Sequence, residues 1–570
     1  MSNDSQRIHP EILHAQEQLR QGRVSRREFL RLAALLGASV STASILASCS
    51  PEPDEMPAAT DMPAATDVPA ATESTAPTGG IKRGGVIKWA TSIQPVDHPA
   101  RISWGTTAHV VGCVAERLTV LGYDGLMRPV LLEKWEANDE VDEWTLYLRQ
   151  GIKFHHGPEL TADDVIFSMN DWLDEEVGSS ILGLMGDYLS TTNIEKVDDY
   201  TIKLYLNRPE IGVPEHLMHY PAFIMPVDFE GDWLRQPYGT GPFKLEEWVV
   251  GERVIMTKNE NYWQTGEDGE PLPYLDGAEA YDLGDERSAI IASLESGQVN
   301  TIAEAKIEDV LALKARDDIV IDRMAVAQTA CLRMRADMEP WTDNRVRKAL
   351  RLCQRRQALL DTCVLGEGVI GADTHTMEAH PAYCPKEPPP YDPEQAKELL
   401  KEAGFEDGLD MEIVVSAGFP ATVSYAETVK ADAEAAGFRI TVSQLPGSEY
   451  WNVWTEVPVG ITEWGARPLG TMVLNLAYSA DADGNPVPWN ESHWVDEEFN
   501  ELLRQANSTL DIEERREIMC QLEDIQIERG SVGIAYFSNI WRIKNKNVKN
   551  MPAHPMQYEI FTDVWLDEEA

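Results

Sequence analysis

Five of the sixteen tryptophans in this 570-residue chain, Trp451, Trp454, Trp464, Trp489 and Trp494, fall between residues 451 and 494. Indole rings supply large, rigid contact area and one N–H donor each, so this concentration in a loop-rich segment suits ligand recognition better than bond-breaking chemistry. Trp464 and Trp489 are flanked by Gly, Pro, Asp and Asn, which reads as loop-borne contact residues. The three-residue spacing of Trp451 and Trp454 is helical, and for these two a core position stays as open as a recognition surface. Histidines offer less. His155 and His156 are adjacent in a strand-turn segment, where neighbouring side chains point to opposite faces. His375 and His380 lie five apart in a proline-bounded loop, with no third and fourth ligand at suitable spacing. We expect surface or structural histidines, no metal site and no cofactor.

A different chemistry stands at Cys49. The segment Ser25-Arg26-Arg27-Glu28-Phe29-Leu30-Arg31 precedes a mildly apolar stretch from Leu32 to Ser48, which closes on Leu46-Ala47-Ser48-Cys49. That is the order of an export signal. Diluted by Gly37, Ser39, Ser41, Thr42 and Ser44, the stretch falls short of the ~20 strongly apolar residues of a spanning helix. The arginine pair resembles a twin-arginine signal, and Leu-Ala-Ser-Cys resembles a lipobox, whose cysteine thiol is acylated and becomes the first residue of the mature protein. From Ser50 to about Lys82 the chain is Pro, Ala, Thr and acidic residues, with the near-repeat MPAATD, MPAATD, VPAATE. Such a segment buries no core and reads as a semi-extended tether of ~30 to ~100 Å that lets a folded body stand off a membrane.

Composition sets further bounds. With 43% hydrophobic residues the chain can bury a large core, and Asp and Glu outnumber Lys and Arg by 95 to 49. A net charge of −46 excludes nucleic acid and anionic membrane surfaces as partners and suits solubility outside the cell. Catalytic signatures are missing: no Gly-x-Ser-x-Gly elbow, P-loop, His-Glu-x-x-His or post-strand Gly-x-Gly-x-x-Gly occurs. We expect no enzyme; since triads need not be local in sequence, an extracytoplasmic hydrolase stays as the alternative. Beyond Cys49 six cysteines remain. Cys331, Cys353, Cys363 and Cys384, at gaps of 22, 10 and 21, match no zinc spacing and fit either buried thiols or one or two disulfides.

The elements that would position these residues mix strands and helices. Val86 to Ala90 and Trp144 to Leu148 read as strands. Thr161 to Leu173 reads as a helix capped by Thr161, with two acids in its first turn. Asn344 to Leu360 reads as one basic-faced amphipathic helix with Val346, Ala349, Leu350 and Cys353 on one side, and Pro393 to Ala403 as another helix. Gly239-Thr240-Gly241-Pro242 reads as a turn without ligand contact, its glycines permitting positive φ. The pattern is that of a mixed α/β (α+β) protein.

Leu131 to Met169, LLEKWEANDEVDEWTLYLRQGIKFHHGPELTADDVIFSM, resembles the signature of the family 5 extracellular solute-binding proteins, which include oligopeptide-, dipeptide- and nickel-binding members. Four collinear segments agree: Tyr238 to Trp263, Leu294 to Lys306, Trp341 to Gly368 and Tyr391 to Phe405. The resemblance covers the chain from about residue 84 onward and implies a two-lobed, periplasmic-binding-protein-like clamshell serving an ABC importer. Lobe one would comprise 83–325 plus 536–570, with an inserted subdomain at about 121–237, and lobe two 326–535, after a signal at 1–49 and a tether at 50–82. The implied partners are a peptide or other small polar solute and a membrane permease, for a lipid-anchored, extracytoplasmic monomer; a nickel or metal-chelate ligand is a further alternative. In relatives the loop after the first strand faces the cleft, which makes His98, Arg101 and Trp104 candidates, with a solvated loop as the alternative. Peptide-binding relatives commonly place an aspartate in lobe two against the ligand's α-amino group. The corresponding stretch here, Ile461 to Gly470, carries Arg467 instead. An arginine fork suits a carboxylate, phosphate or sugar acid, and the competing expectation is an internal ion pair.

Overall fold

Thr161 and its acidic followers do what their spacing predicts. The computed structural model, which describes residues 80–567 other than Trp104, Asp285 and Ala482, has a helix at Ala162–Leu173. Asp164 Oδ2 accepts from the Thr161 backbone N–H at 2.8 Å, so the first turn is closed by its own side chain. The helix buries Val165, Met169 and Trp172 against a four-stranded antiparallel sheet in the order Leu132–Ala137, Glu143–Leu148, Thr201–Tyr205, Ile194–Asp198. In Glu143–Leu148 strict alternation sends Trp144, Leu146 and Leu148 inward. The export signal with Cys49, nearly all of the tether and Trp104 lie outside the described residues.

The main sheet has eleven strands. Its order is Phe438–Leu445, Leu409–Ser416, Val459–Trp464, Ile319–Met334, Val532–Asn545, Thr301–Ile302, Val86–Ala90, Gly277–Tyr281, Arg253–Lys258 and Phe243–Val249, with Gly368–Ile370 paired beside Val532–Asn545. Val86–Ala90 runs parallel to both neighbours, and Leu409–Ser416 runs parallel to Phe438–Leu445 and, at Val414, to Val459–Trp464. Two long antiparallel strands, Ile319–Met334 and Val532–Asn545, occupy the middle and carry the chain between the two parallel ends. Their ladder is interrupted: Ala325 faces Asn539 and Thr329 faces Phe537, which leaves three residues opposite one.

Apolar clusters cover both faces of this sheet, as the unbroken apolar run Val532–Phe537 requires. Near one end Trp89, Ala278, Val254 and Phe243 form a core with the C-terminal Phe561 and Val564. At the other end Leu332, Val346, Ile413, Tyr425 and Phe438 pack together. Fold class is therefore mixed α/β, as expected.

Two local expectations change. The helix expected over Asn344 to Leu360 is two helices, Asn344–Leu352 and Arg356–Val364. Val346, Ala349, Leu350 and Cys353 are buried as expected, but the break turns Gln354 and Arg356 inward: Tyr425 donates to Gln354 Oε1 at 2.5 Å, and Arg356 donates to the Ile534 carbonyl at 2.7 Å. The basic face is also buried, because Arg347 and Arg351 donate to the Arg529 and Gln526 carbonyls at the C-terminus of helix Ile512–Arg529 (2.8 and 2.9 Å). Gly239 and Gly241 do not adopt positive φ. A Cβ on Gly239 would lie 1.8 Å from the Val114 carbonyl oxygen, so close backbone approach is what excludes a side chain here.

Candidate functional site

Strand Val459–Trp464 ends where the two long strands lose register, with Trp464 opposite Thr329. The loop that follows, residues 465–469, leaves the carboxyl end of this strand, the position where open α/β sheets bind ligands. Beside it lies a cavity of about 390 Å3. Met324–Ala327 and Phe537 of the long strands form its floor, the loop 371–383 one wall, and Arg467 with Pro468 another. The lining is mainly apolar with a few convergent polar groups, the usual make-up of a small-molecule site.

Arg467 is half-buried, and its Nη1 donates only to the carbonyls of Ala466 and Gly465 (3.1 and 3.3 Å). No carboxylate stands within pairing distance among the described residues. Burial lowers its pKa and nearby Tyr220 opposes the shift, yet an arginine stays cationic. Leu469, two residues on, packs into the core formed mainly by residues 118–224, so the loop is held at its far end.

The frame behind the loop is closely satisfied. Glu491 accepts from Trp464 Nε1 at 2.7 Å, from Thr462 Oγ1 at 2.6 Å and from Arg333 Nε at 2.7 Å. Arg333 is fully buried and also donates to the carbonyls of Val457 and Trp454. His380 Nε2 lies 3.1 Å from the Arg467 carbonyl oxygen, and His375 Nδ1 lies 2.8 Å from Tyr478 Oη. Burial pulls the His375 pKa to about 3 and that of His380 to about 4, so both are neutral and structural. The wall loop is fastened to helix Ile512–Arg529 by the disulfide Cys384–Cys520, by Thr376 Oγ1 donating to Glu523 at 2.6 Å and by Arg516 donating to the Pro381 carbonyl at 2.7 Å. The other described cysteines are thiols, Cys113, Cys331 and Cys353 buried and Cys363 half-buried.

The aromatic residues divide. Trp464 is not loop-borne: it is the last residue of its strand and buried, with its ring 6.0 Å from that of Trp489. Trp489 is 48% and Trp451 43% exposed, and Trp451, Trp454, Trp489 and Trp464 form an edge-to-face series at 5.7 to 6.3 Å. Phe419, just past the carboxyl end of strand Leu409–Ser416, joins it at Trp451. Trp494 instead packs on Phe499 in the core.

The first-strand loop behaves differently. His98 is buried; its Nδ1 accepts from the Ala100 N–H at 3.2 Å and its Nε2 lies 3.3 Å from Asp171. Arg101 pairs with Asp97 at 2.9 Å and donates to the Val177 carbonyl at 3.0 Å. Both have partners within the protein, and neither lines the cavity. His155 is used similarly: its backbone N–H and Nε2 meet the carbonyls of Gly239 and Gly241 (2.8 and 2.9 Å). His156 stacks on Tyr238 at 4.0 Å. No group of three or more His, Cys, Asp or Glu side chains among the described residues is arranged to hold a metal ion.

Sequence reasoning placed His375 and His380 in a proline-bounded loop as surface or structural histidines, but missed Arg333, Glu491, the contact of His380 with Arg467 and the place of that loop on the cavity wall. Arg333 and Glu491 are 158 residues apart, and no local spacing signals such a pair.

This fold, with a cavity beside the long strands at the carboxyl ends of parallel strands, is that of the periplasmic binding proteins. HbpA2 from Haemophilus parasuis superposes with a TM-score of 0.75 at 23% identity, covering 85% of this chain and 99% of that one. AgaA from A. tumefaciens R10, solved with agropinic acid, superposes with a TM-score of 0.67 at 21% identity over 85% of this chain and 99% of its own. The chain belongs to the bacterial extracellular solute-binding proteins, family 5, whose middle region matches residues 127–485. The dipeptide-binding protein of Escherichia coli (strain K12) is 24% identical over 471 residues, 77% of this chain and 86% of its own. The protein is thus a solute-binding protein, and the hydrolase alternative finds no support in these likenesses. No helix among the described residues is long and apolar enough to cross a membrane.

Proposed function

We propose that this protein captures a small anionic solute in the cavity beside Arg467, outside the cytoplasm, and delivers it unchanged to the permease of an ABC importer. The observation that carries this is an arginine on a cavity wall with no carboxylate partner, in a chain where acids outnumber bases by 95 to 49. A guanidinium left unpaired in partly desolvated surroundings is costly unless something supplies the anion, and its planar fork suits a carboxylate or phosphate. Trp489 and Trp451, exposed at the same end of the sheet, would offer a flat apolar surface to the rest of the solute.

Capture would close two lobes, 83–325 with 536–570 and 326–535, about the long strands, with 121–237 as an insertion in the first. Cys49 would carry the lipid that holds the monomeric protein at the membrane after twin-arginine export. Relatives named for dipeptide binding and for a complex with agropinic acid bracket the solute class.

The test is mass spectrometry of small molecules released from the protein purified from its native host. The expected solute bears a carboxylate or phosphate and is lost from Arg467→Ala at unchanged folding; a neutral solute retained equally by Arg467→Ala overturns the reading. Closure predicts a smaller radius of gyration with that solute. The anchor predicts release of soluble protein by Cys49→Ala.

A further inference from the structure

The wall of the cavity is the least regular part of its lining. Residues 371–392, between strand Gly368–Ile370 and helix Pro393–Glu402, contain no helix or strand. An irregular run longer than about 12–15 residues inside a compact domain is usually a functional loop. From Thr374 to Tyr391 only two backbone–backbone hydrogen bonds are made among the described residues, His380 N–H to the Met377 carbonyl and Tyr383 N–H to the His380 carbonyl. The loop is held mainly from outside, by one helix. Arg516 donates to the Pro381 carbonyl at 2.7 Å, Cys520 is bonded to Cys384, Glu523 accepts from Thr376 Oγ1 at 2.6 Å, and Asp524 pairs with Lys386 at 2.5 Å. Positions 516, 520, 523 and 524 share a face of helix Ile512–Arg529, so the disulfide sits in the middle of a row of fasteners. The others are single hydrogen bonds and an ion pair open to solvent at Asp524, each of modest net worth, whereas the covalent bond closes a chain segment of 136 residues.

The same bond can be reached and the remaining thiols cannot react in its place. Cys384 is buried, but Cys520 is half-buried on the helix. Burial pushes the thiols of Cys353 and Cys363 up to about 12, and those of Cys113 and Cys331 upward as well, so none of the four forms the thiolate that exchange requires near neutral pH. Redox chemistry among the described residues is thereby confined to one pair, and that pair fastens the cavity wall.

We propose that Cys384–Cys520 is a redox latch on the cavity: the disulfide form holds the wall and retains solute, and the dithiol form frees residues 374–384 and lets solute go. In the opening step a thiolate of an external dithiol attacks the Cys520 sulfur, the bond to Cys384 breaks, and Cys384 leaves as a thiolate that takes up a proton. The second thiol of the reductant then resolves the mixed disulfide, so two electrons and two protons pass to the pair and the reductant departs as its own disulfide. A disulfide oxidant outside the cytoplasm reverses the step. A chain that folds among reducing thiols would thus carry an open wall and gain its binding competence only on reaching an oxidising compartment. The latch does not depend on Arg467 or on the sign of the solute's charge.

The test is hydrogen–deuterium exchange of the folded protein, read by mass spectrometry before and after treatment with excess dithiothreitol, with alkylation to count the thiols. Reduction should expose two new thiols, at Cys384 and Cys520, and speed exchange across residues 374–384 about tenfold or more, while helix Ala162–Leu173 keeps its rate. Oxidised glutathione should restore the slow rate, and the double variant Cys384→Ala, Cys520→Ala should match the reduced form. Small molecules that co-purify from the native host, quantified in the same samples, should be shed on reduction. Unchanged exchange at 374–384 after complete reduction would overturn the latch. Equal acceleration in helix Ala162–Leu173 would make the bond a brace of the whole fold, and a bond that resists dithiothreitol until the protein unfolds would make it purely structural; either result refutes the proposal. Solute retained in full by protein whose wall has opened would sever the latch from binding.

Discussion

Two loops in this protein occupy equivalent places and do opposite things. Each leaves the carboxyl end of a parallel strand, one after Val86–Ala90 and one after Val459–Trp464. In the first, the charged groups are consumed locally: Arg101 on Asp97 and the Val177 carbonyl, His98 against Asp171. In the second, a buried frame of Arg333, Glu491, His375 and His380 takes over the holding, and Arg467 is left without an acid. A charged side chain is available to a ligand only where other residues have relieved it of structural duty.

The largest expected effect lies in that frame. Arg333→Met strands a buried Glu491 carboxylate and should cost about 3–5 kcal/mol in denaturant unfolding; a loss below about 1 kcal/mol would mean that the frame does not hold the loop. Next comes pH. Because the folded pKa values of His375 and His380 lie near 3 and 4, against about 6.5 unfolded, the unfolded chain binds protons that the native state refuses. Stability is therefore lost as pH falls from about 6.5 toward 4, each histidine contributing a slope of about 1.4 kcal/mol per pH unit. Glu523, pushed up to about 7 by burial, works in the opposite sense over part of that range. Thermal unfolding of His375→Gln and His380→Gln against wild type isolates the histidine share as a shallower acid slope. His98→Ala, which removes one backbone acceptor and the contact with Asp171, should cost about 1 kcal/mol. Arg467→Met closes the series: with no acidic partner to strand and only two local carbonyl contacts to lose, its unfolding free energy should stay within about 0.5 kcal/mol of wild type. A loss as large as that of Arg333→Met would erase the contrast between the two arginines.

Much of this architecture could be read along the chain. The capped helix at Ala162–Leu173, the alternating strand at Glu143–Leu148 and the proline-led helix at Pro393–Glu402 follow from local pattern because their partners lie within a turn or two residues. Arg467 was visible as an oddity of charge in its segment. What escaped was every feature set by a distant partner. Cys384 finds Cys520 across 136 residues, and Arg347 and Arg351 read as a solvated basic face only until helix Ile512–Arg529 presents its carbonyls. The glycines at 239 and 241 were expected to serve φ, whereas their need comes from Val114, more than a hundred residues away. Trp104 and Cys49 lie outside the described residues and stay expectations.

The interrupted ladder between Ala325 and Thr329 also has a mechanical meaning. A continuous two-strand ribbon resists bending along its whole length, because every rung shares the load. Where three residues face one, rungs are missing and compliance is concentrated in a short span, while the stretches on either side stay stiff and anchored in separate cores. The cavity floor, Met324–Ala327 and Phe537, lies on that span. Any strain in the ribbon is felt first by whatever rests against those residues, and a molecule wedged there would act as a splint on the span where the ladder is broken.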